Sequence, residues 1–513
     1  MSRRVIRGLA ALVFLVGALS CKQETPSPAV DKAPPPAPKP AVVTTVNLPP
    51  NSWQVPVDVS PTPPPNPPQN NYLNLGWQTF VALNWPALSP SSGGQNAQPD
   101  TNSVIGAVAP NGAIVPTVWN TYRDLSTIML DQGADPGSTY TQQVSIPSAC
   151  AAITPANPVA PGFQPMYIDG STFQTATIVR DYINQATGNP LVDQKGWYTI
   201  TDIRVDPSEY AYIQQNGYYL GANQVAAYNK SGQLQPFPKN GTEITPPLPS
   251  YAQYGALEVK ATWRVLNPST DSAIIPRYYT QWGYFMQPDG KTCQGPALFG
   301  LIGMHILRLT PSMGGTWFWA SFQQVDNVAA PNGIAPTLAK LGTPNGNCGG
   351  NYNKKPPQVT GNIPWNGNNT PDDICQVKNI PSEVQQVNQT WQKNLSGTVW
   401  QYYEMVHTLN PCPSGAKECY VFPPIKDQNN KIDLKIFGNN AIETYFQTSN
   451  CMTCHGSASG NGAPSPLTGT NQIFTFVLLN AYMPQTTQTN AKRSEIKRLL
   501  EVLPQSDAVA MHP

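Results

Sequence analysis

The sequence predicts an α+β fold: a large mixed body built around an antiparallel sheet, followed by a small helical segment at the C-terminus. Three observations lead there. Residues 257–265 alternate apolar and polar side chains, as a half-buried strand does. Residues 278–286, 301–309 and 317–325 read as further strands separated by short turns, a spacing that suits antiparallel neighbours better than βαβ units. Toward the C-terminus the period lengthens: Ile442, Tyr445 and Phe446 fall on one side of a helix over 441–446. Ile496, Leu499, Leu500 and Leu503 form the stripe of a second helix over 491–503.

In chain order, residues 1–20 read as an export signal. Arg3, Arg4 and Arg7 precede an apolar run that ends Ala18-Leu19-Ser20-Cys21. A small residue before Cys21 is similar to a bacterial lipobox. That resemblance implies cleavage before Cys21, lipidation of its thiol and a lipid anchor in the bacterial cell envelope. Residues 21–70 read as a linker. Pro34-Pro35-Pro36, Pro49-Pro50 and Pro63-Pro64-Pro65 favour extended polyproline II over a packed core. The body spans 71–440, with short helices expected over 77–83 and 119–129, and His407 on a helix. Residues 327–373 form a long polar segment, and 441–513 form the last unit.

Composition narrows the function. Charged residues make up 12 % of the 513 and the net charge is +1, against roughly 25 % charged for an average domain. Such a chain lacks the basic stripe that nucleic acid requires. No Gly-x-Gly-x-x-Gly, phosphate loop or Gly-x-Ser-x-Gly occurs. Residues 427–431 begin like a calcium loop but place Lys431 at the fifth position.

Of nine cysteines, six lie apart from the lipobox and from the motif described next. An exported chain favours three disulfides among them. Cys412 and Cys419 flank a turn, Cys348 and Cys375 would close the segment between them, and Cys150 is left for Cys293.

Cys451-Met452-Thr453-Cys454-His455 carries the chemistry. Two thiols two residues apart can each add to a vinyl group of haem, and the adjacent His455 then supplies an axial nitrogen to the iron. A zinc site would need two further Cys or His nearby. With this pentapeptide, the segment from Ala441 onward resembles the haem-binding part of a c-type cytochrome. Residues 300–306 and 317–322 are similar to exported proteins of the cytochrome c family. The resemblance implies one covalent haem c, a cytochrome c-like helical fold for the last unit, and electron transfer with a redox partner protein.

Met483, in a Met-Pro loop after an apolar stretch over 474–482, is the expected second axial ligand. His305 is its rival on an apolar strand face. The alternatives to electron transfer are a haem enzyme with an open iron site, for which His305 and Arg308 would be the distal pair, and a haem-based sensor.

Overall fold

The computed structural model of the chain describes residues 46–60, 69–140, 146–151, 159–169, 182–183, 190–287, 289–313, 315–328, 336–339, 369–372, 374–376, 379–409, 438–445, 447, 451, 455, 458–462 and 473–483. Residues 1–20, read as an export signal, together with Cys21, Cys348, Cys412, Cys419, Cys454 and the expected helix over 491–503, lie outside them.

In chain order the elements are α1 (Gln69–Leu83), β1 (Arg123–Asp124), α2 (Ser148–Ala151), β2 (Met166–Asp169), β3 (Ile200–Val205), α3 (Pro207–Gln215), α4 (Gly221–Ser231), β4 (Leu257–Leu266), β5 (Thr280–Met286), β6 (Cys293–Arg308), β7 (Phe318–Gln324), α5 (Ser382–Asn394) and β8 (Tyr403–Leu409). The strands form one sheet in the order β1-β3-β4-β6-β5-β2, with β7 on β6 and β8 on β7. Every pairing is antiparallel except β2 with β5. Strand β6 is long enough to serve two neighbours. Residues near its start pair with β5, and Gly303 to Arg308 pair with β7.

The two faces of this sheet differ. Val259, Ala261, Met304, Ile306, Phe318, Ala320 and Phe322 point to an apolar face that α1 and α5 cover. There Phe80 stacks on Phe322 with centroids 4.2 Å apart, and Trp77 stacks on Trp391 at 6.0 Å. The Trp77 indole N–H donates to Asn388 Oδ1 at 3.0 Å, so the ring's one polar atom costs nothing on burial. Helix α1 ends where the Asn84 side chain donates to the Phe80 carbonyl and Pro86 follows. Asp206 caps α3 by accepting N–H groups from Ser208 and Glu209, each at 2.9 Å, and Pro207 suits the first turn. Helix α4 closes at Gly232, whose φ of 74° is left-handed.

Several expectations are corrected. Residues 119–129 form a 3-10 turn, the short strand β1 and another 3-10 turn instead of a helix. His407 lies on a strand, β8, and not on a helix. Residues 440–445 form turns, and 474–482 hold only one 3-10 turn, Val477–Asn480. Residues 46–60, read as linker, pack on the body. Val55 and Val59 are buried, the Asn47 N–H donates to the Asn394 carbonyl, and the Arg308 guanidinium donates to the Pro56 carbonyl. The expected Cys150–Cys293 disulfide is present and ties α2 to β6. Cys375 is also disulfide-bonded, to a partner outside the described residues. No helix among the described residues is long and apolar enough to cross a membrane.

Candidate functional site

The second face of the sheet carries polar groups, and strand register decides which of them meet. His305 pairs with Lys260 on one side and with Ser321 on the other, and Ser321 pairs with His407. Side chains directly opposite one another share a face. A row therefore crosses four strands: Lys260, His305, Ser321, His407. Two residues along lies a parallel row of Glu258, Leu307, Trp319 and Leu409.

Residues 438–445, Cys451 and His455 cover this face. Gly303 allows the close approach, since a Cβ there would stand 3.0 Å from Ala441 Cβ and 3.3 Å from Ile442. Asn440 donates to Gln323 Oε1 at 2.7 Å, and Asn439 donates to Ser321 Oγ at 3.1 Å. Further along, α4 holds the segment through Gln224. Its Oε1 accepts the Asn461 N–H at 2.7 Å, and its amide donates to the Leu478 carbonyl at 3.0 Å.

His455 lies over the second row. Its ring meets Trp319 edge-on with centroids 4.3 Å apart and leans on Phe476 at 4.9 Å. The ring Nδ1 donates to the Phe474 carbonyl at 2.7 Å, so the lone pair sits on Nε2. The side chain keeps some solvent access, yet the flanking rings desolvate it and push its pKa down to about 4, with Lys260 acting in the same direction. The imidazole is thus neutral, the form that binds a metal.

A small cleft of about 20 Å³, room for about one water, opens on the same face. Cys451 lines one side, and His305, Trp319, Ser321 and His407 line the sheet side. At its rim His305 Nε2 lies 3.3 Å from Glu443 Oε2. Burial works to raise the Glu443 carboxyl, but His305 and Lys260 outweigh it and hold it below the usual range.

The sequence-predicted residues therefore separate. Cys451 lines this cleft, His455 lies against Trp319 and Phe476, and Cys454 lies outside the described residues. Met483 is buried on another surface, where it packs against Gly221 at the start of α4. It is not among the residues lining the cleft. His305 and Arg308 are split by the sheet, because Arg308 points to the apolar side and donates to Thr79 Oγ1 at 3.0 Å. His407 and Ser321, which the sequence did not single out as site residues, are brought in by register across strands far apart in the chain.

Of the residues that would hold a haem, Cys451 and His455 are described and Cys454 lies outside the described residues. A ligating histidine needs its second nitrogen held by an outer acceptor, and the Phe474 carbonyl holds that of His455. Among the described residues no cluster of three or more His, Cys, Asp or Glu could hold a bare metal ion. Compared with known protein families, curated proteins and solved structures, the chain matches none.

Proposed function

We propose that the protein is an exported, lipid-anchored c-type cytochrome that carries one covalent haem and transfers electrons. The Cys451-Met452-Thr453-Cys454-His455 pentapeptide carries this reading. When bound, the haem supplies a single-electron ferric–ferrous couple whose potential its axial ligands set. Cys451 and Cys454 would hold it by thioether bonds, and His455 would ligate its iron through Nε2. The Phe474 carbonyl keeps that nitrogen aimed and unprotonated, while Trp319 and Phe476 hold the ring in place and exclude water from it. A site whose ligand is already fixed changes little when an electron arrives, as a carrier requires.

The open-site enzyme reading loses its distal pair, because His305 and Arg308 face opposite sides of the sheet. The anchor rests on Cys21 and the small residue before it. In this reading the protein sits in the bacterial envelope, with a redox protein as its partner and no role for nucleic acid.

Two measurements on one preparation test the proposal. Acid-acetone should leave the haem on the protein, and haem released into the solvent would refute covalent attachment. In detergent phase separation the wild type should enter the detergent phase and Cys21→Ser should stay aqueous. A wild type that stays aqueous would refute the anchor alone.

A further inference from the structure

A second cleft, of about 290 Å³, lies between the loop that leads into β2, the 3-10 turns Pro90–Ser92 and Val118–Thr121, and strands β3 and β5. It shares no lining residue with the small cleft at Cys451. Its volume falls near the lower end for ligand sites, which suits a molecule of about one sugar ring.

The walls are fixed by the protein's own contacts. Ser89 Oγ donates to the Pro161 carbonyl at 2.7 Å and ties the loop before β2 to the turn Pro90–Ser92. Gly162 lets the two meet, since a Cβ there would stand 2.5 Å from Ser89 Oγ. Asn120 bridges two strands that β4 and β6 separate. Its carbonyl accepts from Arg204 Nη1 of β3 at 2.5 Å, and its Oδ1 accepts from the Tyr279 hydroxyl beside β5. Tyr167, on β2, packs on the cluster that holds the Cys150–Cys293 disulfide. A site built this way loses little freedom when it is filled.

Its chemistry is neutral. Arg204 is the one charged side chain among the described lining residues, and both Asp202 oxygens accept from its Nε, at 2.8 and 3.0 Å. An anion therefore meets no unbalanced positive charge, and a cation meets no carboxylate. Amides supply the polar groups. Gln281 is 8 % exposed, and its Nε2 donates to the Tyr279 hydroxyl at 2.7 Å, so its Oε1 meets no donor among the described residues. Asn120 uses its Oδ1 on Thr117 and Tyr279, and its Nδ2 meets no acceptor among them. Asn96 Nδ2 is enclosed and also unpartnered there. One acceptor and two donors thus line a cavity whose other walls include Pro116, Phe163 and Pro165. Hydroxyl groups can both donate and accept, and a sugar ring adds a C–H face to lie on the apolar walls.

We propose that this cleft binds a neutral polyhydroxylated molecule the size of one hexose. The site stands apart from the haem reading and is tested without it.

The test is a saturation-transfer NMR titration of the full-length protein with D-glucose, D-galactose, D-mannose and N-acetyl-D-glucosamine. At least one should saturate in the millimolar range or tighter. The charged analogues D-glucose 6-phosphate and D-glucosamine should bind more weakly than D-glucose. Gln281→Leu removes the buried acceptor and should weaken binding about tenfold, with near-UV circular dichroism reporting that the variant is folded. Phe163→Ala changes only the half-buried rim, so it should weaken binding several-fold at an unchanged urea midpoint, and it decides the matter where Gln281→Leu does not fold. Saturation by none of these sugars, tighter binding of a charged analogue, or binding left unchanged by Phe163→Ala or by a folded Gln281→Leu would each overturn the proposal.

Discussion

Glu209 and Glu258 oppose each other between α3 and β4, and both are buried. Neither Glu209 oxygen meets a donor from elsewhere in the described protein. Burial first, and then the charges of Glu258 and Asp206, push the Glu209 carboxyl well above its ordinary range. Its proton is the donor that Glu258 needs. Burial raises Glu258 to about 7, although Thr475 and Glu209 both hydrogen-bond to it. In the unfolded chain glutamates release their protons near about 4.3. Between that value and 7 the native state holds more protons than the unfolded state. Stability is therefore full at low pH and is lost as the pH rises through 7. Less urea should unfold the protein at about pH 8 than at about pH 5. Burial raises Asp202, Asp206 and Asp372 as well, so the comparison with a variant isolates the pair. Glu209→Gln supplies a permanent N–H donor and should recover up to about 3 kcal/mol at the higher pH. An identical pH slope in the variant would show that the two carboxyls share no proton.

At the scale of elements, β7 displays the sheet's division of labour in consecutive residues. Phe322 is fully buried, stacked on Phe80 and edge-on to Trp77 at 5.0 Å. Ser321, next to it, faces the cleft and accepts one hydrogen bond from Asn439. Phe322→Ala should cost about 3–5 kcal/mol in urea unfolding, and Ser321→Ala only about 1 kcal/mol. Equal costs would contradict the alternation. This alternation is what made β4 to β7 readable from sequence, since one face is consistently apolar. Strand β8 escaped for a physical reason. The register shifts between Ser321 and Phe322 where they meet β8, and Val406 becomes an extra residue between Met405 and His407. That insertion breaks the period of two and leaves a spacing that imitates a helix. Strand β3 escaped because its polar residues are buried in pairs, Arg204 on Asp202 at 2.8 Å, so it never shows an apolar stripe. Residues 441–445 have helix-like spacing but form turns, with Ala441 and Ile442 set over Gly303 and Tyr445 reaching Pro190 and Asp372.

At the scale of the whole molecule, the Cys150–Cys293 bond closes a loop of 143 residues around β2, β3, β4 and β5. Removing such a long constraint frees the unfolded chain more than the folded one. Replacing both cysteines by serine should lower stability by about 2–5 kcal/mol in urea unfolding. No loss of stability would mean that the sheet alone fixes this region. The pairing was readable because cysteines can be counted, and the pentapeptide because its chemistry is local. The histidine row was not, because His305, Ser321 and His407 become neighbours only once three strands are in register. That order of assembly has a consequence for biosynthesis. Among the described residues every strand of the sheet precedes residue 410, whereas those covering its polar face follow residue 437. If the chain is exported as proposed above, it emerges N-terminus first, and the sheet can be complete while the pentapeptide is still arriving. On the haem reading proposed above, enzymes that attach the group would have an interval between the emergence of Cys451 and the docking of His455 onto Trp319. A mutation that speeds docking would shorten that interval and lower haem occupancy without touching a single ligand.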